Sequence, residues 1–372
     1  MKTQLLQVGL AFILGALFTA SLAGAADEED GVIKIRLSYK IIINPKNCAR
    51  PNPTRQIGEE LTDEMIADAV HEMNELLTAS WRGYRFELHE IIEVGSLGGN
   101  YPDPSHWFDI DFVDDDKKNE IMSAMEKNIA AHSAKYAWRE NAVNIYINQT
   151  TSGAKWKLRD LIVVGADSVS AGWVQLHEIG HYFDLRHTHG VYNADRPGKN
   201  GEGQKIPGDD KVDDTVKDLP NWDRNEIAQH NFSLTYDQLD PAQKALVDEV
   251  AENIMSYHFL KPIQAAPKRL TEGQMDRWTD TTLDFYRLKV RDGRTWFIDR
   301  KTPGPEGTST YPYVSVNLAV KAANGNGGDI ILLRPGVYDE AVTISKPVTL
   351  RATRKGPASI GTSIAPAEFS AE

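Results

Sequence analysis

Apolar and polar positions alternate over residues 33–43, a period of two that predicts a strand ending in the turn-rich stretch 44–53. Over 62–77 the spacing changes. Met65, Ile66, Ala69, Met73, Leu76 and Leu77 recur at helical intervals, with acidic residues at the start where the helix dipole favours them. Residues 84–94 return to alternation, and 117–136 place Ile121, Met125, Ile129 and Ala130 on one helical face. Between them, residues 95–116 hold Gly, Pro, aromatics and six aspartates, which predicts an irregular surface excursion. Its Asp114, Asp115 and Asp116 read as a helix cap in preference to a calcium cluster. Two short apolar strands follow at 143–147 and 161–165, joined by a loop at the sheet margin. A helix is then entered through Ala171 and Gly172. Strand, helix, strand, helix is an α/β opening.

After Asp292 the character changes. Pro, Gly, Thr and Ser crowd residues 301–312, a domain boundary. Residues 317–356 then show a short helix pattern and three β-rich pieces at 330–333, 341–344 and 348–352. At the other end, the apolar run 5–22 follows Lys2 and meets Ala23, Gly24 and Ala25, which reads as a secretory signal peptide over 1–25. An uncleaved anchor is the rival reading, since a span needs about 20 apolar residues. No later segment is apolar enough to span, so a mature chain free of the membrane is expected, secreted or periplasmic.

The chain has 372 residues, 41 basic against 53 acidic, and a formal charge of −12, which disfavours nucleic acid as a partner. Its single cysteine, Cys48, allows no intramolecular disulfide and no cysteine-only metal site. Oligomeric state is not encoded in any of these patterns.

The segment AGWVQLHEIGHYFDLRHTHG carries the chemistry. His177 and His181, four residues apart on a helix, differ in direction by only about 40°, so both imidazoles can face one ion. Glu178 beside the first can reach the ion's water without being a ligand. His187, six residues past His181, meets the same ion only if the helix stops and the chain turns sharply near Asp184. Three neutral imidazoles leave the ion its charge and an open position, the catalytic arrangement of zinc. His189, just past the third histidine, reads as solvent-exposed in preference to a contact with the ligands or the substrate, and His71, His89, His106, His132, His230 and His258 show no ligand spacing.

HEIGHYFDLRH, residues 177–187, resembles the HExxHxxGxxH pattern of the metzincin metallopeptidases, and within them the pappalysin-like family; Asp184 stands where that family has glycine. The resemblance covers about residues 30–290. It implies zinc held by His177, His181 and His187, with Glu178 as general base. In NIMSY, Met255 resembles the methionine turn beneath the metal. Tyr257 resembles the tyrosine that donates to the oxygen charged during attack. GDDKVDDTV resembles the family's GDxVxDTP segment. Six aspartates lie within residues 208–223, and solvation is the default explanation. Calcium is the sharper one, with Asp209, Asp210, Asp213 and Asp214 as ligands. The strand of Val143, Asn144, Ile145, Tyr146, Ile147 and Asn148 resembles the edge against which an extended substrate lies. LTEGQMDRW resembles the start of the family's last helix, with Thr271 able to cap it. Cys48 reads as a plain thiol in preference to a latency switch.

The implied fold is an α/β (α+β) zinc peptidase with a mixed twisted sheet, an active-site helix and a Met-turn over 26–292. A linker, 293–312, leads to a small β-rich segment, 313–372, resembling the first coil of a right-handed parallel β-helix. The implied function is a secreted zinc endopeptidase acting on protein or peptide. The other classes are a catalytically impaired, metal-containing peptide-binding protein and a surface or carbohydrate adhesion protein.

Overall fold

The computed structural model describes residues 33–45, 61–149 except 81, 111 and 113–117, 154–157, 161–189, 210–258 except 220 and 221, 263–281, and 289–361 except 354. The expected signal peptide, Cys48, Asp114, Asp115, Asp116 and Asp209 lie outside the described residues. The chain divides into two compact units, Gly31–Arg294 and one containing Thr295–Glu372.

The first unit is built on β1 (Ile33–Ile42), α1 (Asp63–Thr78), β2 (Tyr84–Val94), α2 (Lys118–Ala131), β3 (Val143–Asn148), β4 (Ala154–Lys157), β5 (Leu161–Gly165) and α3 (Gly172–Tyr182). Thr62 caps α1: it is extended, and its Oγ1 accepts the Met65 amide at 3.2 Å. The strands make one sheet in the order β2-β1-β3-β5-β4, parallel except for the antiparallel β4–β5 pair. Successive residues of β1 point to opposite faces. On one face, the Tyr39 hydroxyl donates to Gln175 of α3 at 2.6 Å, and α1 packs beside α3. On the other, Ile42, Tyr146 and Val163 share a core with Met122, Met125 and Ile129 of α2. Helix α2 ends at Ala131, before the expected 136, because the chain turns and buries Tyr136, whose hydroxyl accepts from Trp107 Nε1 at 2.7 Å.

One expectation is overturned here. Val143, Asn144, Ile145, Tyr146, Ile147 and Asn148 do not form a sheet edge; as β3 they are all buried and pair with β1 and β5. Beyond β5, the sheet ends at β4, inside the segment read as a loop. A four-residue strand with two lysines has the composition of a connector, and lysine is common on strands that present an unpaired edge.

Two helices follow outside the elements predicted above, α4 (Arg224–Phe232) and α5 (Pro241–Ala251). Both start with reciprocal caps, Asp223 with Glu226 and Asp240 with Gln243, and Ile227, Ala228, Val247 and Val250 form their shared core. Helix α6 (Glu272–Thr281) closes the unit, its Gln274 amide donating to Thr271 Oγ1 at 3.1 Å as the sequence predicts.

The second unit holds β6 (Thr295–Ile298), α7 (Val316–Ala322), β7 (Asp329–Leu333), β8 (Gly336–Tyr338), β9 (Val348–Ala352) and β10 (Ala358–Ile360). They form two parallel sheets, β6-β7-β9 and β8-β10. The expected linker, 293–312, is part of this fold. It contains β6, and the Tyr313 amide donates to Phe297 O at 2.8 Å. Residues 341–344 are not a strand. Asn317 bonds the Ala341 carbonyl at 2.9 Å and the Thr343 amide at 3.2 Å, which occupies backbone groups a ladder would need. Among the described residues, no helix is long and apolar enough to cross a membrane.

Candidate metal centre

Helix α3 brings His177, Glu178 and His181 onto the sheet. Its start is held by α1, where the Gly172 amide donates to Glu72 Oε2 at 2.7 Å. A β-carbon on Gly172 would meet Ala69 O at 2.6 Å, so only glycine lets the two helices approach this closely.

The helix stops where the chemistry requires. The Leu185 amide donates back to Gly180 O at 2.9 Å and the Asp184 amide to His181 O at 3.0 Å, with Asp184 left-handed at φ 63°. This is the Schellman arrangement, with aspartate at the position usually taken by glycine. The chain reverses, and His187 returns to the two helical imidazoles.

The three Nε2 atoms converge: His187 Nε2 lies 3.1 Å from that of His177 and 3.1 Å from that of His181. Their other nitrogens fix the tautomers. His177 Nδ1 donates to Ile254 O at 2.7 Å and His181 Nδ1 to Leu185 O at 2.8 Å. Both rings therefore turn Nε2 lone pairs toward His187, and one proton there can satisfy only one of them. A cation satisfies all three. Four-coordinate zinc with Zn–N of about 2.0–2.1 Å places its nitrogens about 3.3 Å apart, close to the two spacings that His187 makes, and all three nitrogens lie within 4.8 Å of one another. Burial lowers the His177 pKa to about 4, against the Ile254 hydrogen bond, so this ring is neutral and ready to ligate. Among the described residues, these three form the group of His, Cys, Asp or Glu that could hold a metal ion.

Glu178, almost fully buried, follows His177. Tyr257 stacks on His177 with ring centroids 5.8 Å apart and tilts over His187 at 4.5 Å. Burial, then the negative charge of Glu178, pushes its phenol above the ordinary value, so it keeps its proton as a donor. Met255 is fully buried beneath α3, in a turn whose Met255 amide donates to Asn253 Oδ1 at 2.8 Å. A β-carbon on Gly180 would stand 2.6 Å from Met255 Sδ.

Behind the three histidines lies a group that spacing does not reveal. Asp218 and His258 are fully buried, and Asp218 Oδ2 accepts from His258 Nε2 at 2.7 Å and from Thr188 Oγ1 at 3.0 Å. The Thr188 amide in turn donates to Met255 O at 3.1 Å. His189 is buried, not solvent-exposed as expected, and stacks on His187 at 4.8 Å; burial lowers its pKa to about 4.

Two of the proposed calcium ligands, Asp214 and Asp210, serve as hydrogen-bond acceptors within the fold. Asp214 accepts from Thr271 Oγ1 and from the Gly273 amide, both at 2.7 Å, at the start of α6. Asp210 accepts from Thr215 Oγ1 at 2.8 Å, and Asp213 is exposed.

No protein-family model matches the chain, and no curated protein does. Eleven chains of solved structures match. One, from a structure titled "Structure of a chaperone-substrate complex", is 12% identical with a TM-score of 0.28, and the match covers 61% of this chain and 39% of that one. The chain thus spans well under half of that protein, and a likeness of this grade carries no argument about fold or function.

Proposed function

We propose that this protein holds a zinc ion through His177, His181 and His187 and hydrolyses peptide bonds, as a metzincin-type peptidase of the pappalysin-like kind. One observation carries the reading: three imidazoles converge across a helix end, His187 Nε2 lying 3.1 Å from each of the two helical Nε2 atoms, with Glu178 on the same helix and the Tyr257 phenol beside them. When bound, zinc supplies a Lewis acid that acidifies water and polarises a carbonyl. Glu178 accepts the proton of the attacking water and delivers it to the leaving amine. Tyr257, kept protonated, donates to the oxygen that gains charge. Strand β4 packs beside α3 and ends the sheet among the described residues, and its outer edge would pair with an extended substrate backbone. Met255 beneath Gly180 forms the floor of a Met-turn.

Incubation with denatured casein tests this. Cleavage abolished both by chelation and by Glu178→Ala, with zinc retained in the variant, is the expected result. The converging histidines also favour a second reading, a metal-containing peptide-binding protein, because ligation alone accounts for them. Stoichiometric zinc with casein left intact decides for that reading.

A further inference from the structure

We propose that Arg277 is a positioning residue for the metal centre: it clamps the left-handed turn at Asp184 and so sets where His187 returns. The inference rests on the metal-binding part of the proposed function.

Position 184 must be left-handed for the chain to reverse between the second and third histidines, and Asp184 has φ 63°. Such a conformation is open to glycine and costs residues with a β-carbon, aspartate less than most but more than glycine. The compensation comes from α6. Arg277 Nε donates to the Asp184 carbonyl at 2.7 Å, and its Nη2 donates to the Asp184 carboxylate. One planar guanidinium thus grips both main chain and side chain of a single residue, and the fork geometry makes the two bonds act together. Rotation of the Asp184 peptide breaks the first bond, and movement of its side chain breaks the second.

The neighbouring residue of α6 reinforces this. Trp278 stacks on Phe183 with ring centroids 4.1 Å apart and an interplanar angle of 26°. Helix α6 therefore holds residues 183 and 184 from one side while α3 ends on the other. Just downstream, Leu185 O receives His181 Nδ1 at 2.8 Å, and His187 Nε2 meets its partners at 3.1 Å. A shift of the turn moves both a ligand and the carbonyl that orients another. An exposed ion pair contributes little by its charge alone, so the clamp acts through the carbonyl bond and its geometry.

Arg277 should therefore matter most while residue 184 carries a side chain that resists the turn, because a glycine there keeps the carbonyl bond but needs little restraint. Four proteins test this: wild type, Arg277→Gln, Asp184→Gly and the double variant. Zinc affinity is read by competition with a chromophoric chelator, and Tm on the metal-free proteins. Arg277→Gln is expected to weaken zinc binding about tenfold in the wild-type background and less than about twofold in the Asp184→Gly background. The metal-free Tm should show the same non-additivity. Equal losses in both backgrounds, or no loss in the wild-type background, overturn the clamp. Absence of zinc binding by the wild type overturns the metal reading instead. The metal-free Tm cycle then still decides, with coupling supporting the clamp and additivity rejecting it.

Discussion

Met255 Sδ occupies the space that a side chain at Gly180 would need, 2.6 Å from where its β-carbon would stand. Glycine within a helix costs about 1 kcal/mol relative to alanine, so the sulfur contact is kept against local preference. Gly180→Ala should therefore destabilise despite better helix propensity, by about 1–2 kcal/mol, because the floor beneath α3 is overpacked. Thermal unfolding of Gly180→Ala, Met255→Ala and the double variant checks it: the penalty of the alanine should vanish once the sulfur is gone. A raised Tm for the single Gly180→Ala variant contradicts the close contact.

Zinc should stabilise the fold through the three histidines. A ligand at about a thousand times its Kd adds about 4 kcal/mol to a folded state that alone binds it. Saturating zinc should raise the Tm of the wild type by several degrees and leave His187→Ala unmoved, since that variant lacks the imidazole lying 3.1 Å from both helical ligands. An equal rise in both proteins places the metal elsewhere.

The legible part of this site is the part that metal chemistry confines to short spacings. His177, Glu178 and His181 follow helical geometry, and the return of His187 demands a turn, which the structure places at Asp184. The partners that orient these groups have no spacing rule. Asp218 meets His258 across 40 residues, and Arg277 meets Asp184 across 93. Strands β1 and β2 are legible because their period of two runs over ten residues or more, whereas β4 alternates over only four residues, too few to stand out from a loop. Helix α4 lacks an apolar stripe and is signalled only by its cap, Asp223 with Glu226, whereas α5 adds a short stripe of Val247, Val250 and Ala251 to its cap, Asp240 with Gln243. His189 reads as exposed because a histidine past the last ligand has no apolar neighbours in sequence; stacking on His187 is a tertiary fact.

Asp218 is expected to tie the third-ligand segment to the turn that carries Met255 and Tyr257. Its Oδ2 serves Thr188 and His258 together, and none of its surface is exposed. Asp218→Ala strands two buried donors, so a loss of about 3 kcal/mol is expected, with zinc bound about tenfold more weakly. Urea denaturation and chelator competition read the two effects. A change below about 0.5 kcal/mol, as for an ordinary surface substitution, would show that the network does not support the centre.

Lys40 makes the stability of the first unit depend on pH. It lies on β1 without exposed surface, its Nζ donating to Ser38 O at 3.1 Å and to Ser38 Oγ and Asn144 Oδ1 at 2.5 Å each. Burial lowers its pKa to about 7; the Glu90 carboxylate opposes the shift and Arg139 adds to it. In the unfolded chain a lysine titrates near about 10.4. Between these two values the unfolded chain binds more protons than the folded one, so stability rises with pH across that window. From pH 7 to 9 the rise due to this one amine is about 2 kcal/mol. Lys40→Met removes the titrating group while keeping most of the stem's volume, and its stability should lack that rise. Urea denaturation at pH 7, 8 and 9 gives the comparison, the wild type gaining on the variant at each step. Parallel curves would mean that the amine keeps one protonation state throughout, held by Ser38 and Asn144 more firmly than burial disfavours its charge.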